Sequence, residues 1–464
     1  MKISVLSAVF ILLASFSLIF FNACQQDAVV DPEIPPVVID TTKIFAKSYG
    51  TALSDLVTGV RQCNDGGIII CGYTISGAFG DNDIFITKLN GSGEVVWSNL
   101  YGGAGNDQAV SIEKTSDGSF IISGTTSSFS GSFDPFTIKI NQAGVVEWSR
   151  YYRFWNEDYC NALVQTGDGG YILTGYTNSF QIGGYDIYAI KLDQSGSIMW
   201  ARAYGGTQND YGNSIRSTPE GGYIIGGYTF SYGSNGEGYI LKLFGDGVLR
   251  WSKSYGGIGF DNIKDLQNTS NGYIACGSTI SFGLAFESAM VFNLDNQDGF
   301  VYWTRTFGGN AQGVANFSKV LPSGDGGFLL AGNMQEIAAN QQDITLVKLF
   351  GDGEFNFARL FGGVANEEST SLAVKTDGGL LISGNTASFG AGSNDLYLLS
   401  LYNNATGCLQ DRPFTPVAGN PLIEVVEQVS SDFPINYETL TAAWNVASFS
   451  TLPNSQCIQI RSKK

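Results

Sequence analysis

Short apolar runs separated by turn-forming residues recur along the chain between residues 44 and 402. Each of seven runs follows an Asp-Gly-Gly signal or a close variant, and a glycine ends each run. The turn signals begin at Asp65, Asp117, Asp168, Glu220, Asn271, Asp325 and Asp377. Because these runs are short, bounded by breakers and without helical period, they predict buried β-strands.

Two sets of aromatic residues, which we call the aromatic columns, recur with the same period as the turn signals. The first, with spacings of 51 to 54 residues, is Trp97, Trp148, Trp200, Trp251, Trp303 and Phe357. The second lies four residues later, at Tyr101, Tyr152, Tyr204, Tyr255, Phe307 and Phe361. A separation of four places both rings on one face of a strand. This period is typical of propeller blades with four strands each.

Counting the strands indicates how the repeats close into a ring. Seven sets of three strands are present, but only six are followed by a Trp strand. Residues 43–49 align with the Trp strand, with Phe45 in the Trp column and Tyr49 in the Tyr column. We therefore predict an all-β, seven-bladed β-propeller of four-stranded antiparallel blades, closed when strand 43–49 completes the last blade.

The repeats carry YGG, DGGY, GYT and KLD-type motifs with a period of about 52 residues. In these motifs the chain resembles seven-bladed β-propeller envelope lipoproteins of Gram-negative bacteria. The resemblance covers residues 44–402 and implies the propeller fold. It implies little about activity, because propellers host many unrelated functions.

The N-terminus has the pattern of an export signal. A charged start and an apolar run from Ile3 to Phe21 precede Asn22-Ala23-Cys24, which is similar to the lipobox of bacterial lipoproteins. We expect a signal peptide over residues 1–23, lipidation of Cys24, and a Pro-containing tether over residues 24–43. The protein would then be lipid-anchored in the cell envelope, at the outer membrane, facing the periplasm or the surface. An ordinary signal peptide and a retained anchor helix are the alternatives.

Residues 403–464 break the repeat and predict a small C-terminal appendage, with strands around residues 422–429 and 440–449. If Cys24 is lipidated, six cysteines remain for an exported protein. Cys71 and Cys276 occupy one repeat position that small residues fill elsewhere, so we expect them to be buried thiols. The candidate disulfide is Cys408 with Cys457.

The amino-acid composition argues against several classes of function. The chain has no histidine, so a His-containing catalytic triad or a His metal ligand is excluded. Its formal charge of -17, from 25 Lys+Arg against 42 Asp+Glu, disfavours nucleic acid as a partner. We expect no cofactor other than, as a weak candidate, Ca²⁺.

Strand direction places the loops before each third strand and the crossovers between blades on one face of the disc, the long-loop face. The DGG turns lie on the opposite face. Two acidic columns belong to the long-loop face. The crossover acids are Asp55, Asp107, Asp158, Asp210, Asp261 and Glu367, and the third-strand acids include Asp83, Asp134, Asp186 and Asp395. These acids could ligate Ca²⁺, but we favour the alternative that each caps its own loop, because they recur in almost every blade.

Most crossovers between blades begin with Tyr-Gly-Gly or a close variant, but one does not. We take this crossover as the candidate ligand site. It contains Tyr151, Arg153, Phe154, Trp155, Asn156 and Glu157. Flat aromatic rings beside polar groups can stack on sugars and bind their hydroxyls. We favour the alternative that the rings fill a gap under the C-terminal tail or between loops, because buried aromatic residues are common.

We expect a non-catalytic protein that binds a glycan or a protein through its long-loop face. The alternatives are a polysaccharide-acting enzyme that uses paired carboxylates, and a structural component of a secretion or adhesion assembly.

Overall fold

The computed structural model describes residues 41–455 with several gaps. The gaps are 78, 181–182, 234, 283–286, 309–313, 337–340, 403–411, 415–416, 420–423, 429–430, 435–437, 442–444 and 449–451. Cys24, Cys408 and Cys457 lie outside the described residues. In the described part, one 3₁₀ turn at Thr41–Lys43 precedes a chain of β-strands.

The strands form seven antiparallel sheets, so the predicted seven-bladed propeller with four-stranded blades is confirmed. The first strand of the chain is β1 (Phe45–Gly50). Blades 1 to 3 contain β2 (Asp55–Gln62), β3 (Ile68–Thr74), β4 (Asp83–Leu89), β5 (Val95–Gly102); β6 (Asp107–Lys114), β7 (Phe120–Thr126), β8 (Asp134–Ile140), β9 (Val146–Arg153); and β10 (Asp158–Gln165), β11 (Tyr171–Thr177), β12 (Asp186–Leu192), β13 (Ile198–Gly205). Blades 4 and 5 contain β14 (Asp210–Ser217), β15 (Tyr223–Thr229), β16 (Glu237–Leu243), β17 (Leu249–Gly256); and β18 (Asp261–Asn268), β19 (Gly272–Thr279), β20 (Ser288–Asp295), β21 (Val301–Gly308). Blades 6 and 7 contain β22 (Ala315–Pro322), β23 (Phe328–Glu336), β24 (Gln341–Leu349), β25 (Phe355–Phe361); and β26 (Glu367–Val374), β27 (Leu380–Thr386), β28 (Asp395–Leu401).

The fourth strand of blade 7 comes from the start of the chain. Strand β1 pairs antiparallel with β28, with Phe45 opposite Ser400 and Tyr49 opposite Leu396. The sheet order in this blade is therefore β26-β27-β28-β1. The N-terminal strand occupies the edge that β28 would otherwise leave unpaired.

At five of the seven junctions the two aromatic columns join one blade to the next through a hydrogen bond, which Phe307 and Phe361 cannot make at the other two. The Tyr hydroxyl of one outer strand donates a hydrogen bond of 2.6 to 3.1 Å to a turn carbonyl of the following blade. The pairs are Tyr49 with Gly93, Tyr101 with Gly144, Tyr152 with Gly196, Tyr204 with Gly247, and Tyr255 with Gly299. The Trp column covers the same turns, since a Cβ added at Gly144 would lie 3.0 Å from the Trp97 ring. Gly144 also has a φ of 77°, which favours glycine.

Every inner strand contains a β-bulge, which sets the residues that face the central channel. The register of each inner strand shifts at the same place, as between Val57 and Gly59 in β2. A bulge reverses the alternation of side chains beyond it. The bulged residues also tie blades together: Thr58 donates to the Ala109 carbonyl and the Asn161 amide donates to the Gly212 carbonyl.

The described part of the C-terminal segment has strands in both ranges named from the sequence, 422–429 and 440–449, and further short strands beside them. It forms seven short strands, and each pairs with the outer strand of one blade. They are β29 (Arg412–Phe414) on β25, β30 (Val417–Gly419) on β21, β31 (Glu424–Gln428) on β17, β32 (Ser431–Pro434) on β13, β33 (Glu438–Thr441) on β9, β34 (Asn445–Ser448) on β5 and β35 (Leu452–Ser455) on β1. The physical reason is that a segment following the rim meets an unpaired strand edge at every blade.

The core consists of clusters between neighbouring blades, filled by alternating apolar residues of the sheets. Cys71 and Cys276 are buried free thiols, as their repeat position predicted. Cys63 and Cys160 are also buried and free.

Candidate functional site

The unusual crossover between blades 2 and 3 divides into buried and exposed parts. The Phe154 side chain is only 3% exposed and contacts the rings of Phe180 and Tyr188, at centroid distances of 5.7 and 6.3 Å. Tyr151 is half-buried and stacks on Phe129. These two rings therefore fill space between loops, which was the alternative interpretation of this segment.

Trp155 and its polar neighbours lie at the surface. The Trp155 side chain is 77% exposed, and Arg153 is exposed as well. The loop is fixed against the one that follows β11: the Asn156 N–H donates to Ser179 Oγ at 3.0 Å, and the Glu157 N–H donates to Asn178 Oδ1 at 2.9 Å. Trp155 is thus presented on a loop whose backbone is held in place.

Glu157 connects this loop to a group of tyrosines that the sequence analysis did not identify. Its Oε2 accepts hydrogen bonds from the hydroxyls of Tyr159, at 3.3 Å, and Tyr185, at 3.1 Å. We call Tyr159, Tyr176, Tyr185, Tyr211 and Tyr228 the tyrosine cluster; all five are partly exposed. Successive ring centroids lie 4.8 Å apart for Tyr159 and Tyr176, 4.9 Å for Tyr176 and Tyr211, and 4.6 Å for Tyr211 and Tyr228.

Among the pairs formed by the first two strands of each blade, only those of blades 3 and 4 have a tyrosine on both strands at this position. Tyr159 faces Tyr176 across β10 and β11, and Tyr211 faces Tyr228 across β14 and β15. The equivalent pairs are Leu56 and Tyr73, Gln108 and Thr125, Asn262 and Ser278, Asn316 and Asn333, and Glu368 and Asn385. A structural requirement of the repeat would recur in every blade, so the aromatic pairs point to a local function.

The hydroxyls of the tyrosine cluster are available as hydrogen-bond donors. Burial, with the Glu157 carboxylate, raises the pKa of Tyr185 to about 12, and burial raises the pKa of Tyr228 to about 12. Both hydroxyls therefore stay protonated at physiological pH. Within the described residues, the hydroxyls of Tyr176, Tyr211 and Tyr228 make no hydrogen bond. A ligand on this surface would meet both ring faces and polar edges.

The crossover acids cap their own loops. In five crossovers the carboxylate accepts a hydrogen bond from the backbone N–H four residues earlier, as Asp107 does from Gly103 at 2.7 Å. The five acids are Asp55, Asp107, Asp210, Asp261 and Glu367. Asp158 accepts instead from Ser179 Oγ. Among the described residues, no group of three or more Cys, Asp or Glu side chains is arranged to hold a metal ion.

At several crossovers, the carboxylate of a third-strand acid lies beside the carboxylate of the capping crossover acid. A Cβ added at Gly205 would clash with both Asp186 Oδ1 and Asp210 Oδ2, so the two carboxylates converge there. Asp186 is fully buried, and neither of its oxygens has a hydrogen-bond partner. Burial, with the charge of Asp210, raises the pKa of Asp186 to about 7. A buried pair of this kind is closed to a polysaccharide, which needs an open cleft between its acid and base.

Comparisons with known proteins identify no family for this chain. No family model matches the sequence, and no curated protein matches it significantly. Similar solved structures include Sqt1 from Chaetomium thermophilum (11% identity, 77% of this chain and 99% of that chain, TM-score 0.41), a eukaryotic initiation factor (10% identity, 67% and 89%, TM-score 0.30) and the tail fibre of Staphylococcus aureus phage P68 (9% identity, 82% and 97%, TM-score 0.22). These similarities carry no information on function. In the part of the chain that the structure describes, no helix is long and apolar enough to cross a membrane.

The buried Asp186 predicts an unusual dependence of stability on pH. Its pKa is about 7 in the folded protein and near 3.9 in an unfolded chain, so folding favours the protonated form. The stability that this proton contributes is present at low pH and is lost as the pH rises through about 7. We expect Asp186→Asn to raise the free energy of unfolding by about 2 to 4 kcal/mol at pH 8 and to change it little at pH 4, near the pKa of the unfolded chain.

Denaturant unfolding at both pH values measures this difference. Asp117→Asn is the matched control, because the Lys139 ammonium and other hydrogen bonds hold the pKa of Asp117 at about 2. The control should not gain stability at pH 8. Equal destabilisation of Asp186→Asn at both pH values would contradict the assignment.

Proposed function

We propose that this protein is a non-catalytic, lipid-anchored propeller of the bacterial cell envelope that binds a glycan through the long-loop face of blades 3 and 4. The lipobox-like segment ending at Cys24 supports the anchor, and the prolines of residues 24–43 are typical of a tether. The charged start and the apolar run within residues 1–23 are typical of a signal peptide and support export.

The tyrosine cluster is the observation that carries the binding proposal. Its rings combine apolar faces with hydroxyl edges, which matches the alternating apolar and hydroxyl surfaces of a sugar chain. Glu157 adds a carboxylate that accepts hydrogen bonds from hydroxyl groups, and Trp155 adds an exposed ring on the adjoining crossover. The chain's formal charge of -17 favours a neutral glycan over an anionic one.

One feature argues against the enzyme alternative. The paired carboxylates that an enzyme would need are buried at blade junctions, as Asp186 and Asp210 are, so they offer no acid and base to a substrate. A protein ligand on the tyrosine cluster is a further alternative, and the binding test below separates it from a glycan.

The binding proposal predicts which side chains contribute affinity. We expect a soluble fragment beginning at Lys43 to bind one class of neutral glycan on a glycan array. Trp155→Ala and Tyr176→Ala should each weaken binding by about five- to thirtyfold, because a stacked ring contributes roughly 1 to 2 kcal/mol. Tyr211→Phe, which removes only a hydroxyl, should weaken it by a smaller factor.

Phe300→Ala is the control for this experiment. Phe300 is 63% exposed but lies on a turn of the opposite face, so its loss should leave glycan binding unchanged. Unaltered binding by both Trp155→Ala and Tyr176→Ala would exclude this surface. Failure of the folded fragment to bind any glycan would overturn the glycan proposal and leave a protein ligand as the next hypothesis.

The anchor has its own test in a Gram-negative host. We expect the full chain to incorporate labelled palmitate and to fractionate with membranes, because a lipidated Cys24 carries acyl chains. Cys24→Ser should lose the label and move to the soluble fraction, whereas Cys63→Ser, a buried thiol, should not. Membrane association of the Cys24→Ser protein would argue for a retained anchor helix instead.

A further inference from the structure

The central channel widens on the DGG-turn face into a cavity of about 590 Å³, which we call the channel mouth. Its wall includes Arg61, Glu113, Lys114 and Arg216 on one part, and Val164 and Leu321 on another. The channel beyond it narrows to a cavity of about 60 Å³. A volume of several hundred Å³ with mixed apolar and polar walls is typical of small-molecule sites.

The channel and its mouth carry positive charge in a chain that is strongly acidic overall. Four cations line them, Arg61, Lys114, Arg216 and Lys319, against the carboxylates Glu113 and Asp265, which leaves an excess of two positive charges. The chain as a whole has a formal charge of -17. An excess of one sign inside a concave, low-dielectric wall concentrates the field there.

The arginines form salt bridges with carboxylates, whereas two lysines form none, and the charge of Lys319 acts on Asp265 only by helping to lower the pKa of that carboxyl. Arg61 Nε donates to Glu113 Oε2 at 3.0 Å, and Arg216 Nη2 donates to Asp265 Oδ1 at 2.9 Å. Lys114 and Lys319 form no salt bridge with any described residue. They differ in this from Lys88 and Lys191, whose ammonium groups pair with DGG-turn acids at 2.6 and 2.8 Å.

The apolar part of the wall limits the kind of anion that would fit. Val164 and Leu321 occupy the same position of their inner strands as Arg61 and Arg216, beyond the bulge, so all four side chains face the channel. Leu372 adds a further apolar side chain. Inorganic phosphate would leave this wall in contact with water, whereas an anion with an apolar body would cover it.

We propose that the channel mouth binds an amphiphilic organic anion, with its charged group at Lys114 and its apolar body against Val164 and Leu321. Lys319, in the narrower cavity beyond the mouth, adds to the positive charge of the channel. This site lies on the face opposite the tyrosine cluster. It does not depend on the proposed glycan function, and both can be tested on the same protein.

Decanoate below its micellar concentration is a suitable probe, measured by isothermal titration calorimetry against the soluble fragment. We expect one molecule of decanoate per chain, with an affinity that falls as salt increases. Decyltrimethylammonium, which has the same tail length and the opposite charge, should bind at least about tenfold more weakly, a difference of about 1.4 kcal/mol.

Lys114→Gln removes an exposed charge and should weaken decanoate binding about fivefold, and the double variant with Lys319→Gln should weaken it further. Lys253→Gln is the matched control, since it removes the same charge from a partly exposed position on the outer strand β17, away from the channel and from the tyrosine cluster. No decanoate binding, equal binding of both amphiphiles, or an unchanged affinity in Lys114→Gln would each overturn the proposal. Val164→Glu should abolish binding, which keeps the test decisive if the double variant fails to fold.

Discussion

The contact between one blade's outer strand and the next blade's turn is the interaction on which the ring depends. A Tyr hydroxyl reaches the turn carbonyl while an aromatic ring four residues earlier covers the turn glycine, so register and spacing are set together. At the junction between blades 7 and 1, Tyr49 donates to the Gly93 carbonyl at 2.6 Å and Phe45 lies over the same glycine. At this junction, β1 therefore makes the same contact that the outer strands make at other junctions. Closure in this manner removes an exposed sheet edge, which is the main hazard of an open propeller.

A regular ring also shows where function resides. Features that recur in most or all blades, such as the capping crossover acids and the inner-strand bulges, are explained by the repeat itself. The features that break the repeat are local: paired tyrosines in blades 3 and 4, and an excess of cations at one end of the channel. They lie on opposite faces of the disc and have different chemistry. The bulges relate directly to the second feature, because they turn Arg61 and Arg216 towards the channel.

The sequence was most informative where one pattern repeated many times. Turn signals and aromatic columns predicted the blades, and the recurrence of the crossover acids favoured capping, which the hydrogen bonds of Asp107 and Asp210 display. The tyrosine cluster was missed because Tyr159 and Tyr176 are far apart in sequence and meet only across a strand pair; comparing the residue after each crossover acid would have revealed it. The C-terminal strands of three to five residues are too short to show a period, and their partners are distant outer strands.

Hydrogen exchange measured by mass spectrometry tests the closure most directly. If β1 is the fourth strand of blade 7, amides of residues 45–50 should be protected and should exchange together with those of β28, through the same opening of the blade. Exchange of residues 45–50 within seconds, beside a well-protected β28, would contradict a ring closed by the N-terminal strand.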